Sequence, residues 1–332
     1  ASPAIKSFQF EQSIQLDIIF ELNNMYNMTQ PPDGITAGRD KSEWHSGDKG
    51  MQRETHIIGD IHAFRYRGDN PRYALVISHG IGGHGGIYDG FCAHHAGQGV
   101  DVWSYDAPGH GRSTPNRPRG RWQMGEWCDA GVTIAEHVRD LTGLPVFLLG
   151  SSLGVAAAFS GLYSDAVTGA VLMGSPAVPS APGIERMAPA WRSADVTALL
   201  SALGPAARLD IDRFFNFDED YGYQGAGAQK KLDPYNCWSY ELGSWQSLFT
   251  FVPRIPAAEN RKPILVASGE NDPNFPEHVM QKVADAIAGP VSYHCVPDAS
   301  HQLMLFHTNL FSDMVQDFAE LHLSTPRTEA LA

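Results

Sequence analysis

Short apolar runs, each followed by a turn rich in glycine, proline or aspartate, dominate the hydrophobic pattern from residue 51 onward. Such runs are typical of buried strands, and the longer segments between them carry apolar residues at helical spacing. Because strands alternate with helices, the sequence predicts an α/β fold: a mostly parallel central sheet with helices on both faces. The predicted strands are Arg53–Ile58, Ile61–Tyr66, Tyr73–Ser78, Val100–Tyr105, Pro145–Leu149, Thr168–Met173, Pro263–Ala267 and Val291–Val296. Helices are predicted from Tyr88 and over Gln123–Leu141, Pro276–Ile287 and Leu310–His322.

The alternation stops after Pro176, in a segment rich in tryptophan, tyrosine and phenylalanine. An aromatic insertion between two core strands fits a cap that covers an apolar pocket. Within it, Ser193–Leu203 is predicted to be a helix, and Trp238 and Trp245 are the candidate substrate-binding side chains. The predicted organisation is an N-terminal helical arm and linker (1–50), a first part of the α/β core (51–175), a cap segment (176–258) and a second part of the core (259–332).

The N-terminal arm has a different pattern, with Phe10, Ile14, Ile18 and Leu22 at steps of four. This spacing predicts an amphipathic helix over Phe10–Tyr26. Acidic residues and no basic ones lie in this stretch, which disfavours binding to lipid headgroups. We expect the helix to pack on the body of the protein or to form a homo-oligomer with a second copy of the chain.

The composition of the chain argues against two classes of binding partner, nucleic acids and membranes. The 332-residue chain carries a net charge of −13, which disfavours nucleic acid and anionic membrane surfaces. No apolar run has the length of a membrane span, so stable membrane insertion is not expected. The four cysteines form no C-x-x-C pair, which argues against a zinc site and a disulfide framework. Reduced thiols in a cytoplasmic protein are therefore expected, and a secreted form stays open.

Three polar residues follow predicted strands in the order serine, aspartate, histidine. Ser152 is the centre of Gly150-Ser-Ser-Leu-Gly154, a G-x-S-x-G pattern between a strand and an Ala-rich helix, as in a nucleophile elbow. Asp272 follows Pro263–Ala267, and His301 follows the last strand. Because these loops meet at the carboxyl edge of a parallel sheet, Ser152 is predicted to be the nucleophile, His301 its base and Asp272 the orienting acid.

The sequence resembles the α/β-hydrolase superfamily of serine esterases, and within it the monoacylglycerol lipase and lysophospholipase-like hydrolases. The features that carry this resemblance are His79-Gly80, Asp106-x-Pro-Gly-His-Gly-x-Ser113, the elbow and the loops of Asp272 and His301. The resemblance implies an oxyanion hole made by the backbone N–H groups of Ile81 and Leu153. Two positions depart from these lipases: Ser151 stands where they usually carry histidine, and Val155 where a second glycine is common.

The predicted function is hydrolysis of a carboxylic ester through an acyl-enzyme, without a metal or organic cofactor. A monoacylglycerol, a lysophospholipid and an aromatic or phthalate-type monoester all fit as small-molecule substrates. Since the base must be neutral, activity is expected to fall as the pH drops through the reference histidine pKa of about 6.5.

Alternative functions stay open. The same fold hosts lactonases, C–C hydrolases and cofactor-free oxygenases. Gly80-x-Gly-x-x-Gly85, with Asp106 about twenty residues on, also resembles a dinucleotide-binding fingerprint of an NAD-dependent oxidoreductase. His84, His94 and His95 have no carboxylate or cysteine at ligand spacing, so packing roles are predicted for them rather than metal binding.

Overall fold

The computed structural model describes residues 53–176, 189–204 and 207–323. Its main sheet has the strand order β1-β2-β4-β3-β5-β6-β9-β10. Strands β1 and β2 are antiparallel to their neighbours, and the pairs from β4 to β10 across the sheet are parallel. The strand bounds are β1 Arg53–Ile58, β2 Ile61–Arg67, β3 Ala74–Ser78, β4 Asp101–Tyr105, β5 Val146–Ser151, β6 Val167–Met173, β9 Ile264–Gly269 and β10 Val291–Val296. A second sheet pairs β7 (Arg208–Asp210) with β8 (Ser239–Glu241).

Helices cover both faces of the main sheet. The α-helices are α1 Asp89–Gly97, α2 Met124–Thr142, α3 Gly154–Ser160, α4 Ala194–Leu203, α5 Phe217–Tyr221, α6 Ala226–Lys230, α7 Leu242–Phe249, α8 Glu277–Asp285, α9 Leu303–Phe306 and α10 Thr308–Leu323. The 3₁₀ turns are Gly85–Tyr88, Gly161–Tyr163, Ile211–Arg213 and Ala257–Glu259. The predicted α/β fold with a mostly parallel sheet is confirmed.

The central strands β3, β5, β6 and β9 are mostly apolar because both of their faces are buried, whereas the edge strand β1 is largely exposed. Alternate side chains of β3 belong to two separate apolar clusters: Val76 packs with Trp127 of α2, and Ile77 packs in the cluster that contains Phe311 of α10. Each fully buried side chain of this size stabilises the fold by about 1.5–3 kcal/mol. The resulting double-sided core fixes the position of the loops at the carboxyl ends of the strands.

The cap segment leaves the main sheet uninterrupted. Strand β6 precedes it and β9 follows it, yet the two strands pair directly with each other. The predicted helix in this segment is present as α4, and Ser193 caps it by accepting a hydrogen bond from the N–H of Val196 at 3.2 Å. The domain boundaries stay predictions, and the N-terminal arm lies outside the described residues.

Candidate active site

Ser152 occupies a strained corner between β5 and α3. Its backbone φ is +51°, a value that a non-glycine residue rarely adopts. The flanking glycines make this corner sterically feasible. A Cβ at Gly150 would lie 2.4 Å from the carbonyl oxygen of Gly154, and one at Gly154 would lie 2.3 Å from that of Ser78. Strand and helix therefore approach closely enough to present Ser152 at the sheet edge, as in a nucleophile elbow.

The two adjacent serines have different surroundings. Ser151 is fully buried, and its Oγ accepts a hydrogen bond from the Tyr88 hydroxyl at 2.8 Å. Ser152 instead lines a small cavity together with His301. Only the second serine therefore faces a space in which a substrate atom can be placed.

His301 and Asp272 form a short, buried hydrogen bond. The Nδ1–H of His301 donates to Oδ2 of Asp272 at 2.6 Å, and both residues are almost completely buried. Oδ1 of Asp272 accepts hydrogen bonds from the backbone N–H groups of Asn274 at 2.9 Å and Phe275 at 3.0 Å. The carboxylate is thus held by its own loop, and it fixes the histidine tautomer with Nε2 directed away from it. Glu270 of the same loop is exposed and accepts from the backbone N–H of Asp298 instead.

The cavity shared by Ser152 and His301 is small. Its volume of about 20 Å³ is room for roughly one water molecule. Within the described ranges, Ser152 Oγ and His301 form no hydrogen bond with each other. Ile87, Tyr221 and Lys230 separate this chamber from an outer cavity of about 620 Å³. A chamber of this volume is too small for an acyl group unless neighbouring side chains move.

The loop after β3 is held by hydrogen bonds from both the core and the cap segment. The N–H of Gly82 donates to the Tyr240 hydroxyl at 2.7 Å, and the N–H of Cys237 donates to the carbonyl of Gly82 at 2.9 Å. Tyr240 in turn donates to Nε2 of His110 at 2.8 Å. These contacts fix the position of Ile81, the residue just before Gly82.

The two residues predicted to form the oxyanion hole lie next to Ser152: Ile81 lines the same chamber, and Leu153 is the next residue in the sequence. A Cβ added at Gly80, the residue before Ile81, would lie only 3.1 Å from the Cβ of Ser152, so this loop runs close beside the elbow. In the described part of the chain, neither residue's N–H has a protein acceptor. Two such donors beside one nucleophile are the arrangement that stabilises a tetrahedral intermediate.

A second buried carboxylate, Asp220 of α5, stands on the other side of His301. Its Oδ1 is 3.8 Å from Nε2 of His301 and accepts a hydrogen bond from the side-chain amide of Asn274 at 2.6 Å. Lys230 lines the same cavity and donates to the Tyr221 hydroxyl at 3.2 Å. Sequence reasoning missed both residues, because nothing in the order of residues distinguishes Asp220 from its acidic neighbours Asp218 and Glu219.

Burial and the nearby negative charges shift the pKa of His301 in opposite directions. Burial alone would lower the pKa of His301, but the carboxylates of Asp220 and Asp272 outweigh it and raise that pKa to about 9. Burial also raises the pKa of Asp220 above its ordinary value and lowers the pKa of the Lys230 ammonium to about 8. The expectation of a histidine pKa near 6.5 is therefore revised upward.

The two tryptophans singled out from the sequence do not line the chamber at Ser152. Trp245 is buried among Phe214, Tyr240 and Phe249, and Trp238 packs behind Phe217 with a ring-centroid separation of 5.2 Å. The aromatic side chains that reach the chamber are Tyr88, Phe215, Phe217 and Tyr221. The composition of the cap segment indicated aromatic lining, but it did not indicate which aromatic residues face inward.

Asp106, which follows the glycine-rich stretch, and His95 of the histidine pair both make hydrogen bonds inside the core of the protein. The Asp106 carboxylate is fully buried and accepts hydrogen bonds from the backbone N–H groups of Gly85 at 2.8 Å and Arg112 at 2.7 Å, so it is not available to a ribose hydroxyl. His95 lies between Tyr73 and Ser312, and burial lowers its pKa to about 4. Across residues 53–176, 189–204 and 207–323, no group of three His, Cys, Asp or Glu side chains is arranged to hold a metal ion.

The central sheet and the serine at its strand–helix corner define an α/β-hydrolase of the serine type. The sequence model of the Hydrolase_4 family, described as serine aminopeptidase, S33, matches residues 69–309. Since this match spans most of the chain, the protein belongs to that family, and the predicted recognition as an α/β-hydrolase serine esterase is confirmed at that level.

Individual relatives and structures carry related names. The chain is 28% identical to a monoacylglycerol lipase of Mycolicibacterium smegmatis over 225 residues, which is 66% of this chain and 77% of that protein. It is 34% identical to a monoglyceride lipase homolog of Monkeypox virus over 88 residues, 25% of this chain and only 30% of that protein. The crystal structure of Paleococcus ferrophilus monoacylglycerol lipase superposes with a TM-score of 0.62 at 20% identity, covering 79% of this chain and 99% of that one. Among the described helices, none has the length and apolar character needed to cross a bilayer.

Proposed function

We propose that this protein hydrolyses carboxylic esters, with Ser152 as nucleophile, His301 as general base and Asp272 as the group that orients His301. The observation that carries the proposal is the 2.6 Å hydrogen bond between His301 Nδ1 and Asp272 Oδ2, beside a chamber that Ser152 also lines. A buried acid–base pair and a serine at a nucleophile elbow have the order and the roles of a catalytic triad.

The reaction follows from these positions. Ser152 Oγ attacks the ester carbonyl while its proton passes to Nε2 of His301, and the N–H groups of Ile81 and Leu153 donate to the oxyanion. The C–O bond to the alcohol breaks as His301 returns the proton to the leaving oxygen. Water, deprotonated by His301, then attacks the acyl-enzyme, and the acid departs as the proton returns to Ser152. Asp272 stays ionised and stabilises the imidazolium in each step.

The surroundings of the chamber favour a substrate with an apolar acyl group. Phe215, Phe217 and Ile87 line the chamber, and an outer cavity of the size that holds small ligands lies behind the wall. The names of the relatives, monoacylglycerol lipase and monoglyceride lipase homolog, favour a monoacylglycerol over a lysophospholipid or an aromatic monoester.

A panel of substrates tests this proposal. We expect the protein to hydrolyse p-nitrophenyl esters and 1-monoacylglycerols, with turnover unaffected by EDTA because the mechanism uses no metal. A phthalate monoester and a lysophospholipid distinguish the other ester classes, and an aminoacyl p-nitroanilide tests amide cleavage, the activity that the family description names. Turnover of the anilide alone, with no ester cleaved, would contradict the proposal.

The pH dependence of kcat/KM is a direct consequence of the charges around His301. The base must be neutral to accept the proton of Ser152, and its pKa is raised to about 9. Activity should therefore rise with pH up to about 9 and fall on the acid side of that value, with a slope of one proton. A pH-rate profile with a stable acyl ester measures this. An acid limb at the ordinary histidine value, near 6.5, would show that the carboxylates do not act on His301 as described.

Phe217 should affect which ester is accepted without taking part in the chemistry. Its side chain lines the chamber, so Phe217→Ala enlarges the acyl site. Each methylene of a bound acyl chain that loses its contact with this ring weakens binding by roughly 0.8 kcal/mol. We expect the ranking of kcat/KM across an acyl-length series to shift toward longer chains, while a fluorophosphonate still labels Ser152. Phe249→Ala is the matched control, because Phe249 packs on Trp191 and Trp245 away from the chamber. An equal change in both variants would mean that the cap aromatics act only on stability.

A further inference from the structure

We propose that Asp220 is a second carboxylate partner of His301, a positioning residue that the cap segment supplies to the side of the imidazole facing the reaction. This inference rests on the proposed function, since it concerns the same general base.

The geometry places the histidine between two carboxylates. Asp272 Oδ2 accepts the Nδ1–H at 2.6 Å, and Asp220 Oδ1 lies 3.8 Å from Nε2. Asp220 is 5% exposed and His301 is 2% exposed, so water screens neither charge well. The triad mechanism needs one carboxylate, on the Nδ1 side. The one on the Nε2 side is therefore an addition that the mechanism does not explain.

The position of Asp220 is held by the core as well as by its own helix. The side-chain amide of Asn274, two residues after Asp272, donates to Asp220 Oδ1 at 2.6 Å. The loop that positions the first carboxylate thus also positions the second. Because α5 belongs to the cap segment, the contact between Asp220 and His301 exists only when the cap segment lies against the core.

The charged groups that face His301 come from three elements. They are Asp272 of the loop after β9, Asp220 of α5 and, farther along the chamber wall, Lys230 of α6. The other neighbours, including the ring of Phe275 at 5.7 Å, carry no charge. The two nearest charges are both negative, and they favour the imidazolium over the neutral ring.

This placement has a catalytic consequence. When Ser152 attacks, its proton moves to Nε2 and a positive charge forms 3.8 Å from Asp220. The carboxylate stabilises that charge without accepting the proton, so His301 becomes a stronger base. The same interaction holds the resting histidine protonated over a wider pH range, in agreement with its raised pKa. Asp220, which the cap segment supplies, thereby raises the basicity of the proposed catalytic histidine.

The test compares pH profiles of kcat/KM for three variants on one uncharged p-nitrophenyl ester. Asp220→Asn removes the charge but keeps an oxygen that can accept from Asn274. An opposite charge within about 4–6 Å shifts a pKa by about 1–3 units, so we expect the acid limb to move down by at least about one pH unit. We also expect the alkaline plateau of kcat to fall roughly tenfold, with KM changed less than about twofold.

Matched controls separate this role from a structural one. Glu219→Gln makes the same change of charge one position earlier, on an exposed side chain, and should leave the limb in place. Asp220→Glu keeps the charge and should restore most of the shift. If Asp220→Asn does not fold, Asp220→Ser is the second neutral variant.

If Asp220→Asn or Asp220→Ser loses activity at the same pH as Glu219→Gln, the inference is wrong. Such a result would leave the proposed function intact as long as Ser152→Ala is inactive on the same ester. If Ser152→Ala is instead as active as the unmodified protein, the proposed function fails, and the inference fails with it.

Discussion

Ser152→Ala should lose essentially all ester turnover, a fall of about 10⁴-fold or more in kcat, while KM and the melting temperature change little. The side chain points into the chamber and makes no hydrogen bond in the described ranges, so its removal leaves the fold without an unsatisfied partner. Steady-state kinetics on a p-nitrophenyl ester measure the loss.

Ser151→Ala is the control for this prediction. It deletes the hydroxyl next in sequence, which accepts a hydrogen bond from Tyr88 behind the elbow. We expect the Ser151 variant to keep a measurable part of the activity and to be somewhat less stable, because the buried Tyr88 hydroxyl loses its acceptor. Activity that survives in Ser152→Ala and disappears in Ser151→Ala would reverse the assignment of the nucleophile.

Asp272→Asn should lower kcat by orders of magnitude, with about 10⁴-fold as the scale for this type of substitution in a serine triad. Asparagine at this position keeps an oxygen that can accept from the N–H groups of Asn274 and Phe275, so the loop conformation should persist. The negative charge beside Nδ1 is lost, and with it the preference for the tautomer that leaves Nε2 free to accept a proton. Kinetics together with thermal unfolding separate the catalytic effect from a loss of stability.

Glu270→Gln provides the matched control, since it makes the same chemical change two residues earlier on an exposed side chain. We expect it to be nearly as active as the unmodified protein. If Glu270→Gln were the inactive variant and Asp272→Asn the active one, the acid would have been assigned to the wrong residue of the loop.

The core of the fold was predictable because its signals are local. The central strands of the main sheet are short apolar runs ended by a turn, and the predicted bounds differ from the observed ones by few residues: β3 begins at Ala74 rather than Tyr73, and β9 continues to Gly269. The positions of Ser152, Asp272 and His301 follow from the same signals. Each residue comes just after a strand, and parallel strands bring their carboxyl ends to one edge.

The contribution of the cap segment was not predictable in the same way. Its short helices and its two-stranded sheet have little periodicity, and the roles of their side chains depend on how the segment folds back over the core. Asp220 and Asp218 lie two residues apart on α5, yet one faces His301 and the other accepts from the backbone of Gly225 and Gly227. Aromatic content pointed to Trp245, which stabilises the cap, rather than to Phe217, which lines the chamber.

Peptide mapping of the protein after reaction with a fluorophosphonate tests directly whether Ser152 is the nucleophile of an ester hydrolase. We expect a single phosphonylated residue, Ser152, with labelling that parallels the loss of p-nitrophenyl ester turnover and that slows as the pH falls below about 9, where His301 becomes protonated. A label on Ser151 or on another residue, or complete labelling of Ser152 with ester turnover unchanged, would contradict it.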